Sequence, residues 1–159
     1  MRVARPRAVH LEYGQSTANR AMNQVFVVEH LVRFSHCDPA GIVYYPDFFD
    51  LQHAAMEDWF RDGLMHPMPQ MIRNERIGVP TVGIQCDFAK PLSMGDILRW
   101  EVRVERLGRA SVQLSYTGMK GDVKHLKIVQ TIAFMDLDKQ VAVPIPEALR
   151  PRIEAYLVG

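Results

Sequence analysis

The chain has 159 residues, 48% hydrophobic and 23% charged, which suits one globular domain with a real core. A formal charge of +1 leaves no electrostatic footprint for nucleic acid or an anionic membrane. Two cysteines, Cys37 and Cys86, make no disulfide framework, no run approaches the roughly eighteen consecutive apolar residues of a membrane span, and no signal-peptide core follows the N-terminus, so a reducing, cytoplasmic setting is expected.

Residues 1–21 stand apart. They carry Arg2, Arg5, Arg7 and Arg20 against only Glu12, with Pro6, Gly14 and Asn19 interspersed and no apolar periodicity. A loosely ordered extension is expected there, with the domain proper occupying residues 22–159. From Val25 to Phe34 the residues are β-branched and aromatic, and Phe26, Val28, His30, Val32 and Phe34 share one parity, which predicts a strand.

That strand leads into Ser35-His36-Cys37-Asp38-Pro39-Ala40-Gly41-Ile42-Val43-Tyr44-Tyr45-Pro46. Asp38-Pro39-Ala40-Gly41 has the composition of a tight turn, because proline fixes φ at a turn's second position and glycine accepts a positive φ near its end. Pro46 suits a first helical position, and Asp47 complements the positive end of the helix dipole. Amides around Tyr45 to Phe48 are therefore expected to lie free beside the turn, placing an anion-binding helix start near the Asp38 carboxylate.

The helical pattern runs from Asp47 to about Arg61. Phe48, Leu51, Ala55, Met56 and Trp59 gather on one face, and Asp50, Glu57 and Arg61 on the other, with Glu57 and Arg61 forming a favourable i,i+4 pair. Gln52 lies within the apolar arc and His53 at its edge. Each reads either as a satisfied side chain at the edge of the core or as a wall of a binding pocket. His36-Cys37-Asp38 in direct succession lacks the spacing of zinc ligands, so no metal is expected.

Residues 63–76, with Gly63, Pro67 and Pro69, read as a loop with a helical turn at Gln70 to Arg73. Four strands follow. Val82, Ile84, Cys86 and Phe88 alternate with polar residues or glycine, as do Leu98, Trp100, Val102 and Val104, then Val112, Leu114 and Tyr116; Leu126, Ile128, Ile132 and Phe134 share a face. Lys90-Pro91, Leu107-Gly108 and Gly121-Asp122 punctuate them. The tail predicts a last extended piece at Pro144-Ile145-Pro146 and a short helix interrupted at Pro151. One strand, one long helix and four strands form an α+β pattern in which an antiparallel sheet, apolar on one face, wraps a single helix.

The run from Cys37 to Pro46 closely resembles the signature of the 4-hydroxybenzoyl-CoA thioesterase family, which has the hotdog fold. Weaker similarity in strand pattern extends to about the last strand, leaving the first twenty-odd residues uncovered. The resemblance implies an acyl-CoA thioesterase without a cofactor. It assigns Asp38 as the catalytic carboxylate, nucleophile or general base, and Tyr45 as the residue whose backbone N–H polarises the thioester carbonyl. His53 stands where members acting on hydroxybenzoyl substrates carry an acid, so an aromatic acyl group and a short aliphatic one both stay open. Arg109 sits where related proteins often have a basic CoA contact, with Lys90, Lys120 and Lys124 as alternatives. A homodimer or homotetramer is implied, with the substrate site between protomers, because a protomer of this fold resembles half of a continuous sheet. Two rival readings share the fold: an enoyl-CoA hydratase or dehydratase, which needs a histidine at the substrate α-carbon, and a non-catalytic acyl-CoA or acyl-carrier binding protein.

Overall fold

The computed structural model describes residues 23–159; the expected extension over residues 1–21 lies outside them. The first strand, β1, covers Phe26–Leu31. It ends three residues earlier than the alternation predicts, because Phe34–His36 wind into a single 3₁₀ turn and Phe34 swings out to 82% exposure. The long helix α1 spans Asp47–Asp58 and continues through a π-helical turn at Trp59–Gly63. A shorter helix α2 follows at Met68–Arg73, starting two residues before the predicted turn.

The strands are β2 (Ile77–Gly78), β3 (Thr81–Phe88), β4 (Ile97–Leu107), β5 (Ser111–Lys120), β6 (Val123–Ala133), β7 (Met135–Asp136) and β8 (Val141–Ala142), and α3 (Arg150–Glu154) closes the chain. Pro151 opens α3 rather than interrupting it, as expected of a residue whose missing N–H costs nothing in a first turn. Five strands form one sheet in the order β1-β4-β5-β6-β3, and β2, β7 and β8 form a small second one. Every pairing is antiparallel.

The period-two pattern does its work in the middle of the large sheet. Leu98, Trp100, Val102 and Val104 of β4, Val112, Leu114 and Tyr116 of β5, and Leu126, Ile128 and Ile132 of β6 are all buried. They face Phe48, Leu51, Ala55 and Met56 of α1 and, beyond it, Trp59 and Phe60, in one continuous core. Each such side chain contributes about 1.5 to 3 kcal/mol by leaving water. The architecture is α+β, a sheet wrapped around one main helix, the hotdog arrangement.

Two local expectations fail for physical reasons. Glu57 does not meet Arg61: it pairs instead with His53 (3.2 Å), and Arg61 pairs with Asp58 and Asp62. The helix widens just there, with the Leu64 N–H donating to the Trp59 carbonyl (2.8 Å), and the slower angular step turns Arg61 away from Glu57. The strand β3 has the predicted alternation, yet its side chains are exposed on both faces apart from partly buried Cys86. It is the last strand of the sheet, with only β6 beside it.

Candidate active site

The chain leaves β1 toward α1 through a segment tied at both ends. The Val32 N–H donates to the Asp96 carbonyl (2.9 Å) and the Val43 N–H to the Leu92 carbonyl (2.8 Å), while Val32 and Val43 are themselves buried. Between these anchors the chain folds back on itself. Cys37 bridges Val43 antiparallel, the Tyr44 N–H donates to the His36 carbonyl (2.9 Å) and the Asp38 N–H to the Ile42 carbonyl (2.9 Å). The hairpin's tip is the predicted turn. The Gly41 N–H closes on the Asp38 carbonyl (2.9 Å), and Gly41 takes φ +80°, the left-handed conformation that glycine adopts without a Cβ penalty.

Asp38 is partly buried, and its Oδ1 accepts the Ala40 N–H at 2.8 Å. Half of the carboxylate thus stiffens its own turn, while Oδ2 accepts from no group among the described residues. It lines an open cleft with Phe34, Cys37, Pro39, Gly41 and Met94. At the other end of the hairpin, the expectation of several free amides narrows to one. Asp47, Phe48 and Phe49 donate to the carbonyls of Tyr44, Tyr45 and Pro46, a tightened first turn that uses up the orphan donors of a helix start. Pro46 has no N–H. The Tyr45 amide alone in this stretch finds no acceptor among the described residues, and Tyr45 lines a second cleft with Ile42, Val43, Phe48, Phe88, Ala89, Lys90 and Pro91. Asp38 and Tyr45 therefore flank Gly41 and Ile42 on adjoining clefts, a carboxylate on one side and an open amide on the other. In chemical kind, a carboxylate is an oxygen nucleophile or base, and an open amide is a donor to a carbonyl's developing charge.

His53 is exposed on α1, its Nε2 against Glu57, while Gln52 turns inward and is buried. His36 uses Nδ1 to accept the Arg33 N–H (3.0 Å). Neither histidine joins the Asp38 and Tyr45 clefts. Arg109 lies in the turn after β4, whose 11 residues span roughly 35 Å at about 3.3 Å per residue. The Asp38 hairpin abuts residues 92–96 before that strand's other end, so one protomer does not bring Arg109 to Asp38. Of the alternatives, Lys120 is held by Asp96 (2.8 Å), Lys124 is exposed near the β5–β6 turn, and Lys90 lines the Tyr45 cleft.

Both cysteines are free. Burial, with Asp87 alongside, pushes the Cys86 thiol up to about 11, so it stays protonated and unreactive at neutral pH. Phe34 and Phe88, which the alternation assigns to strand faces, and Met94, which no pattern covers, line the clefts.

The chain matches the thioesterase-like superfamily over residues 32–153. It is 33% identical over 122 residues to the 1,4-dihydroxy-2-naphthoyl-CoA hydrolase of Thermosynechococcus vestitus, covering 76% of this chain and 83% of that one. It is 26% identical over 133 residues to the 4-hydroxybenzoyl-CoA thioesterase of a Pseudomonas species, covering 79% and 94% respectively. Among solved structures, a gentisyl-coenzyme A thioesterase superposes with a TM-score of 0.73 at 26% identity, over 79% of this chain and 99% of that one. A thioesterase-superfamily protein from Jannaschia sp. superposes with a TM-score of 0.79 at 25% identity, over 92% and 100%.

Proposed function

Belonging to the thioesterase-like superfamily, the chain is a hydrolase of acyl-CoA thioesters, and we propose that its substrates carry aromatic acyl groups and that Asp38 and the Tyr45 amide perform the reaction. The aromatic acyl group is supported by relatives named for dihydroxynaphthoyl-, hydroxybenzoyl- and gentisyl-CoA and by the rings of Tyr45, Phe48 and Phe88 in one cleft. The observation that carries the residue roles is a Tyr45 amide and an Asp38 carboxylate oxygen on one hairpin, each without a hydrogen-bond partner among the described residues. Asp38 either attacks the thioester carbonyl carbon, expelling the CoA thiolate and leaving an acyl–aspartyl anhydride that water then cleaves, or takes a proton from water as that water attacks. In both routes the carbonyl oxygen becomes negative, and the Tyr45 N–H donates to it; one such donor is worth about 3 to 4 kcal/mol.

The working unit is a homo-oligomer paired through β3. That strand presents an unpaired edge carrying exposed Val82, Ile84 and Phe88, and Phe88 also lines the Tyr45 cleft, so a twin seated along β3 would wall the cleft and complete the site. His53 on the exposed side of α1 and Arg109 at the far end of β4 are then available to a substrate bound across the two protomers. The two free thiols accord with a cytoplasmic protein.

The test is a thiol-release assay across aromatic, short-chain and long-chain acyl-CoAs, run beside Asp38→Asn. Aromatic esters are expected to turn over fastest, and the variant is expected to lose about 100-fold or more in kcat. A preference for aliphatic chains would reject the substrate class, and near-normal turnover by the variant would remove Asp38 from the mechanism. Single-turnover hydrolysis in ¹⁸O-labelled water separates the two routes: direct attack by water puts one labelled oxygen into the acid, whereas cleavage of the anhydride at the Asp38 carbonyl gives an unlabelled acid and labels Asp38 instead.

A further inference from the structure

On β5 and β6 the inner face is apolar except at one place. There the Gln52 Nε2 of α1 donates to the Oε1 of Gln130 on β6 (2.9 Å), the Tyr116 hydroxyl of β5 donates to the same oxygen (2.9 Å), and the Gln130 Nε2 donates to the Thr81 hydroxyl of β3 (2.8 Å). Gln52, Gln130 and Tyr116 are almost wholly buried. Such groups are costly inside a protein unless their hydrogen bonds are made, and once made the bonds are directional in a way that apolar packing is not. Both lone pairs of the Gln130 oxygen are used. The Gln130 oxygen has no lone pair left for a substrate. The cluster is a tie between elements.

What it ties is informative. Gln52 stands seven residues after Tyr45, about 10 Å along the helix axis, on the same face and one turn behind Phe48. Thr81 opens β3, beside a register slip between Thr81 and Gly83. At the strand's other end, Phe88 packs on Phe48 with ring centroids 5.6 Å apart. The helix is thus joined toward the edge strand twice, by two rings at the Tyr45 cleft and by hydrogen bonds behind it. We propose that Gln52, Gln130, Tyr116 and Thr81 are positioning residues that fix the start of α1, and with it the Tyr45 amide, against β3. The proposal rests on the reading of that amide as the oxyanion donor, which is effective only when held in place before the charge develops. Apolar contacts alone let a helix slide by fractions of an ångström; a saturated acceptor between helix and sheet does not.

The variant Gln52→Leu/Tyr116→Phe/Gln130→Leu removes the network at nearly constant volume. It is expected to melt close to the parent, because replacing all partners of a buried polar cluster by apolar groups is close to neutral. Amide hydrogen exchange over Tyr44 to Phe49 is expected to quicken about tenfold with β4 and β5 unchanged, and kcat on an aryl-CoA ester to fall about tenfold with KM within about threefold. Parent-like exchange at the helix start, or a parent-like kcat in the folded variant, overturns the proposal. Gln52→Met, which deletes one donor and leaves the Tyr116–Gln130 bond, gives the same two readouts at smaller amplitude if the triple variant does not fold. A parent protein that hydrolyses no thioester would refute the proposed reaction, while the exchange measurement would still decide the positioning role.

Discussion

In the proposed reaction Asp38 holds two jobs in one side chain, one for each carboxylate oxygen. Oδ1 accepts the Ala40 N–H, which asparagine also does, so Asp38→Asn removes the charge without undoing the turn. Alanine removes both. Asp38→Ala is expected to match Asp38→Asn in lost turnover and, in addition, to cost about 0.5 to 1.5 kcal/mol of folding stability through the missing hydrogen bond, measurable as a lower midpoint in urea for alanine but not for asparagine. The Asp38 turn was legible in the sequence because Asp, Pro and Gly impose it through their own dihedral limits. The fate of the helix-start amides was not: whether Asp47, Phe48 and Phe49 donate outward or back to Tyr44, Tyr45 and Pro46 depends on how tightly the first turn winds, which those side chains do not fix.

The turn at residues 93–96 is the element that shapes the other wall of the Asp38 cleft, where it presents Met94. Asp96 braces it, its Oδ2 accepting the Ser93 N–H (2.9 Å) and its Oδ1 facing the Lys120 ammonium (2.8 Å). The hydrogen bond from Lys120 first, then that from Ser93, holds the Asp96 carboxyl below its ordinary value of 3.8. A depressed folded-state pKa stabilises the fold fully above the unfolded-state value and progressively less as pH falls through the folded-state one. Asp96→Asn is therefore expected to cost no more than about 1 kcal/mol at pH 7, since Lys120 is half exposed and salt-screened, and the gap from the parent should close as denaturant melts are taken from pH 5 to below pH 3. On the neighbouring strand, Gly118 leaves room for Leu126: a Cβ there would collide with the leucine Cδ2. Gly118→Ala is expected to destabilise by about 1 to 3 kcal/mol, read as a lower Tm with the aromatic-ester preference retained.

At the scale of the molecule, β3 decides what the protein is when alone. It carries a strand's alternation but has a neighbour on one side only, leaving Val82 at 63% and Ile84 at 47% exposure and an open row of main-chain donors and acceptors. If the proposed pairing through β3 holds, Ile84→Lys is expected to give a monomer in light scattering with unchanged far-ultraviolet circular dichroism, and to reduce turnover about tenfold or more as the proposed partner wall is lost. A fully active monomer would separate catalysis from assembly. By itself the sequence determined the turn at Asp38, the apolar face of α1 and the five strands of the large sheet, since these follow from dihedral limits and from periods of 3.6 and 2 that neighbouring residues set among themselves. The tertiary structure alone decided that β3 lies at the edge, that Gln52 meets Gln130 78 residues away, and that Arg109 and Asp38 stand at opposite ends of β4. Those outcomes depend on strand order, and strand order is fixed by which apolar faces meet across the whole chain rather than by any window along it.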